Sequence, residues 1–145
     1  MTEEYNIRGN IQSPKKRPDL LSIVCILTFI GSGLGAFSNL VITTSFEETM
    51  ELLNSSDFDF PGMALFKTAS YGFFLTGTIL YSTSLFGAIR MWKLHKIGFH
   101  FYVISQTLLF ILPMIYIKEY PFPYIDLLIT AFFIILYARN LKFMS

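Results

Sequence analysis

Three stretches of this chain run without a single Asp, Glu, Lys or Arg: residues 20–46, 68–89 and 97–117, which are 27, 22 and 21 residues long. An α-helix rises 1.5 Å per residue, so about 20 apolar residues cross the roughly 30 Å of hydrocarbon in a bilayer. All three runs reach that length. A fourth apolar stretch, Phe122 to Ala138, carries Asp126 near its start and sits close to the lower limit of about 17 residues. The reading is an all-α, polytopic membrane protein of four transmembrane helices in a bundle, spanning about 20–43, 68–90, 97–117 and 122–139.

Composition closes off the alternatives. Charged residues make up 14% of the 145-residue chain, against about 25% in soluble domains, and mean hydropathy is +0.54. Four long apolar helices leave no polar helical faces to meet water. The apolar content excludes disorder, and the single Cys25 excludes a disulfide scaffold. A net charge of +1 offers no electrostatic footprint for nucleic acid. The first run follows a polar stretch of 19 residues and is too long for a signal-peptide core, so it reads as an uncleaved span.

Lys and Arg set the orientation. Arg8, Lys15, Lys16 and Arg17 precede the first span, Arg90, Lys93 and Lys96 lie between the second and third, and Arg139 and Lys142 follow the fourth. Only Lys67 and Lys118 fall on the other side. The positive-inside rule places both termini in the cytoplasm. Residues 1–19 form a flexible cytoplasmic tail, 20–145 a single four-helix domain, and 44–66 its one sizeable outer loop. In that loop Ser45 and Glu48 have the spacing of a capping box, and Phe46, Met50 and Leu53 share one helical face. The segment reads as an amphipathic helix on the outer surface or as an extension of the first span. Asp57 to Gly62 reads as a turn, and Asn54-Ser55-Ser56 matches a glycosylation sequon.

Lipid tails give apolar helices little reason to associate, so small residues mark where backbones approach. Thr28, Gly31, Gly35 and Ser38 form one such face on the first span, and Gly72, Thr76, Leu80, Thr83 and Gly87 form one on the second. The two faces, with Gly31, Gly35, Gly72 and Gly87, are expected to meet within the bundle, the alternative being homodimerisation through the same faces. Pro113 removes the hydrogen bond to the Leu109 carbonyl in the third span. Gln106, at that span's midpoint, needs a polar partner, for which Thr76 and Thr78 on the second span are suited. Trp92, Phe99, Phe101 and Tyr102 at one boundary, and Tyr116, Tyr120, Phe122 and Tyr124 at the other, form aromatic belts.

Reactive chemistry is sparse. Asp126 is the one acid inside a proposed span, and such acids are costly enough to be functional suspects. Its place in the first helical turn also suits an interfacial carboxylate favoured by the helix dipole. His95 and His100 share no helical face, and no metal, phosphate or nucleophile motif accompanies them. The expectation is therefore no catalytic, cofactor-binding or metal-binding residues, with Asp126, Gln106 and Thr76 as the candidate polar or ion site.

Lys15-Lys16-Arg17-Pro18 leading into Leu20–Gly35, the segment Met91-Trp92-Lys93-Leu94-His95-Lys96-Ile97-Gly98-Phe99, and the ending Tyr137-Ala138-Arg139-Asn140-Leu141-Lys142 together resemble small, uncharacterised four-helix membrane proteins of Bacteroidota. The resemblance covers the spans and inner loop but not the outer loop. It implies a bacterial inner membrane and no particular activity. Two functions are expected. The first is a non-enzymatic accessory or scaffold subunit of a larger membrane assembly, in contact with lipid and with a membrane-protein partner or further copies of itself. The alternative is a small oligomeric transporter or channel using Asp126 and Gln106.

Overall fold

The computed structural model describes residues 16–57 and 63–145. Most of the basic tail, and residues 58–62 of the turn expected at 57–62, lie outside these. Every regular element among the described residues is helical: α1 (Asp19–Thr44), α2 (Phe46–Ser55), α3 (Met63–Thr68), α4 (Tyr71–Trp92), α5 (Ile97–Tyr116) and α6 (Tyr124–Asn140), followed by a short 3-10 turn at Leu141–Phe143. Four of these, α1, α4, α5 and α6 with its 3-10 extension, are long and apolar enough to cross a membrane. Their ends fall within four residues of the spans read from sequence.

Helices α1, α4 and α5 form the body, with α4 packed between the other two. The inner face of α1 is the series Leu21, Cys25, Thr28, Ser32, Gly35 and Asn39, spaced alternately by four and three residues. Its counterpart on α4 is Phe74, Gly77, Tyr81, Ser84, Ala88 and Met91. This 3-4 alternation keeps one seam facing its neighbour. The pairs along it run antiparallel: Asn39 meets Gly77, Gly35 meets Tyr81, Ser32 meets Ser84, and Cys25 reaches Ala88.

Within the single chain the four glycines have different neighbours. Gly35 is a contact residue, since a Cβ there would stand 2.6 Å from the Tyr81 ring. Gly31 has nothing within 4 Å, because it lies a helical turn's fraction away from the Thr28–Ser32–Gly35 seam. Gly72 and Gly87 do not face α1 either. Both face α5: a Cβ on Gly72 would meet the Tyr116 ring at 3.2 Å, and one on Gly87 would meet the Gly98 carbonyl and Tyr102 nitrogen at 2.8 Å. Gly98 answers Gly87 from across the hairpin, backbone against backbone.

One end of the bundle gathers the segment before α1, the α4–α5 turn and the end of the chain. Leu21, Val24, Cys25, Met91, Tyr102, Tyr137 and Met144 are buried together there. The turn ends α4 in a Schellman arrangement, with His95 N–H donating to the Arg90 carbonyl and Leu94 N–H to that of Met91. Leu94 takes the left-handed conformation (φ 62°) that glycine usually supplies. Its carbonyl accepts from Ser145 N–H at 2.8 Å, and Lys96 N–H donates back to Ser145.

At the opposite end Ala69, Phe74 and Ile117 are buried beneath Phe46 and Met50 of α2. The amphipathic face expected for α2 is thus in use. The capping box is not: Ser45 makes no side-chain cap bond. Its N–H donates to the Val41 carbonyl instead, and its own carbonyl accepts from Thr49 N–H. It acts as a one-residue hinge between two helices rather than as a free N-terminus.

Helix α6 is attached differently from the rest. Only 11% of its span is buried, against 28% for α1 and α4. Tyr137 and Asn140 are its buried residues, both in the last turns. There Tyr137 shares a 2.7 Å hydrogen bond with Thr28 and packs edge-on against Tyr102 at 4.8 Å. Toward its start Tyr124, Ile125 and Leu128 are at least 70% exposed.

Candidate functional site

Because α6 is held at one end, it stands off from α4 and α5 at the other. The gap is a pocket of about 190 Å³, and Tyr81 of α4, Gln106 and Pro113 of α5, and Asp126 and Thr130 of α6 contribute to its wall. Asp126 and Gln106, 20 residues apart in sequence, therefore line one site. Thr76 does not; it is absent from the pocket wall.

Gln106 finds its partner elsewhere than expected. Its Nε2 donates to Ser84 Oγ at 3.0 Å, and Ser84 Oγ shares a second bond of 3.0 Å with Ser32 Oγ. Ser84 is fully buried, so this junction ties α1, α4 and α5 together at mid-height. Thr78 is committed to its own helix, donating to the Phe74 carbonyl. The hairpin register explains the choice: counted from the 93–96 turn, Gln106 lies ten residues on and Ser84 nine residues back.

The bond to Ser84 uses the amide nitrogen and leaves Gln106 Oε1 without a partner among the described residues. Pro113 withholds the N–H that the Leu109 carbonyl would receive in an unbroken helix, and both residues line the pocket. No basic nitrogen of the described residues lies within 4.0 Å of the Asp126 carboxylate. Outside the spans, Tyr120 has its phenol raised above the usual range, by burial first and then by the nearby Asp126 carboxylate.

The wall is thus rich in oxygen acceptors, backed by Leu109, Phe110 and Ile129. Sequence reasoning found Asp126 and Gln106 but missed Tyr81 and Ser84. A search along α4 for polar residues on the 3-4 seam would have singled out both.

His95 and His100 stay apart from this site, and His100 Nδ1 contacts the Lys96 carbonyl at 3.3 Å. Among the described residues no three His, Cys, Asp or Glu side chains gather as metal ligands would. Comparison of the chain with protein-family models, curated proteins and solved structures finds no match.

Proposed function

We propose that this chain is a non-enzymatic, multi-pass membrane protein with both termini cytoplasmic, acting as an accessory or scaffold subunit of a larger membrane assembly. On the Bacteroidota resemblance, that membrane is a bacterial inner membrane. The observation that carries the reading is α6: a helix of spanning length whose buried residues are Tyr137 and Asn140, with Phe133, Ile134 and Leu136 packed partly buried beside them and Tyr124, Ile125 and Leu128 exposed. In lipid, helices associate through close packing and polar contacts rather than through apolar surface. A partner's transmembrane helix seated along α6 would supply such packing. The exposed Glu47, Glu48 and Glu51 of α2 add a polar docking element at the outer surface. Mild-detergent purification at native expression, with mass spectrometry and native mass, tests this. A stoichiometric membrane-protein partner is expected. A lone homo-oligomer would overturn the subunit reading.

A second reading, a small oligomeric transporter or channel, is favoured by one observation: Gln106 and Asp126 line the same pocket. Asp126→Asn separates the two, since a carrier would lose flux while a scaffold would still assemble.

A further inference from the structure

We infer that the pocket between α4, α5 and α6 binds a primary ammonium group, carried by a free alkylamine or by an aminophospholipid head group. The inference deepens the transporter reading by naming its ligand, but it requires only that the pocket bind, not that anything be moved.

The wall selects for charge and for hydrogen-bond donors. Asp126 brings a carboxylate with no basic partner among the described residues. Gln106 presents Oε1, because its Nε2 is held by Ser84. Pro113 frees the Leu109 carbonyl of its helical donor. Tyr81 and Thr130 bring hydroxyl groups that can also accept. A primary ammonium carries three N–H donors and no acceptor, which complements this set. An anion would face a carboxylate with no Lys, Arg or His in the wall. A purely apolar ligand would desolvate the carboxylate with nothing in return.

Size and access agree. The pocket of about 190 Å³ exceeds more than tenfold the roughly 10–15 Å³ that a cavity needs to hold one water, room for an ammonium on a short carbon stem. Phe110 and Ile129 provide an apolar surface for the stem. The standoff of α6 opens the pocket sideways, where a lipid head group could enter, and Asp126 is exposed at the start of α6, where a dissolved amine could.

The test uses the whole protein in nanodiscs. Ethylammonium and tetramethylammonium are titrated calorimetrically in phosphatidylglycerol discs. Retained lipid is counted by native mass spectrometry after release from discs of mixed phosphatidylethanolamine and phosphatidylglycerol. The expected result is saturable binding of ethylammonium at least tenfold tighter than tetramethylammonium, or selective retention of phosphatidylethanolamine. Either is weakened at least tenfold by Asp126→Asn and changed less than twofold by Glu119→Gln, which removes the same charge from a nearby exposed site. Calorimetric binding without lipid enrichment identifies a free amine as the ligand, and enrichment identifies the lipid. Should Asp126→Asn fail to fold, Thr130→Phe, which fills the pocket, must abolish binding. Neither ligand binding, equal affinity for the two cations without retention of phosphatidylethanolamine, or equal effects of the two charge-removing variants overturns the inference. Flux measurements are separate, so binding without flux removes the transporter reading alone.

Discussion

The guanidinium of Arg17 lies flat over Trp92, its central carbon 3.6 Å from the ring centroid, while Nη1 donates to the Trp92 carbonyl at 3.1 Å. Two points 75 residues apart are clasped where α1 begins and α4 ends. Among the described residues Arg17 Nε is buried there without a hydrogen-bond partner, and the stacking and the carbonyl bond to Trp92 are its contacts. A cation–π contact of this kind contributes about 0.5–2 kcal/mol, depending on desolvation. A double-mutant cycle of Arg17→Gln and Trp92→Leu, read by unfolding in detergent, is expected to give a coupling of about 1 kcal/mol. Additive single variants would show that the clasp contributes nothing. Arg17→Lys should lose most of the coupling, since an ammonium cannot stack as a planar guanidinium does.

The glycines divide sharply by position. Gly87→Ala and Gly98→Ala each place a Cβ into backbone atoms of the opposing helix, which cannot move aside as a side chain can. Both should destabilise the α4–α5 hairpin by at least about 2 kcal/mol, in the range of overpacked cores. Gly31→Ala meets open space and removes a helix-interior glycine, so it should be neutral or stabilising by up to about 1 kcal/mol. Thermal unfolding of the three purified variants decides the matter, and an unstable Gly31→Ala would mean that this face packs against a second molecule.

Ser84 is the junction of three helices, and its removal should be felt by both partners. Ser84→Ala is expected to cost about 0.6–1.7 kcal/mol, the range of interhelical hydrogen bonds in membranes. Adding Ser32→Ala to it should cost little more, because the Ser32–Ser84 bond is already gone. Equal, additive losses from the two serines would contradict the shared bond.

Glu119 holds a left-handed backbone, φ 64°, in the turn after α5. A side chain in that region costs roughly 1–2 kcal/mol, and the residue is exposed, so no packing is lost on removing it. Glu119→Gly should raise the unfolding midpoint, with a gain of up to about 1 kcal/mol after the added flexibility of the unfolded chain is counted.

Tyr137→Phe deletes the hydroxyl that meets Thr28 but keeps the ring against Tyr102. A loss of about 1 kcal/mol is expected. Hydrogen exchange should rise along the whole of α6 and little in α1, α4 or α5. Uniform acceleration across all four helices would mean that α6 is not separately attached.

Three of the four long helices were legible because each is a continuous uncharged run bounded by charges, and the fourth, interrupted by Asp126, was legible from its apolar length. Rotation about each helix axis was harder to read. Gly31 and Gly35 suggested one face of α1, whereas Ser32 and Asn39, polar and therefore costly toward lipid, belong to the true seam. Polar residues report the inner face better than glycines, because a glycine is tolerated on either side. Asp126 and Gln106 were recognisable by type, but their meeting depends on the angle at which α6 leaves the bundle. No local pattern encodes that angle; Tyr137, eleven residues beyond Asp126, sets it through a contact with Thr28, 109 positions earlier in the chain.

Attachment at one end also makes α6 a lever. Its fulcrum is Tyr137, and eleven residues of helix give an arm of about 16 Å at 1.5 Å per residue. A tilt of about 10° at the fulcrum would sweep Asp126 through about 3 Å, roughly the length of a hydrogen bond. Small changes in bilayer thickness or lateral pressure acting on the bare arm would thus be converted into the making or breaking of polar contacts at its tip.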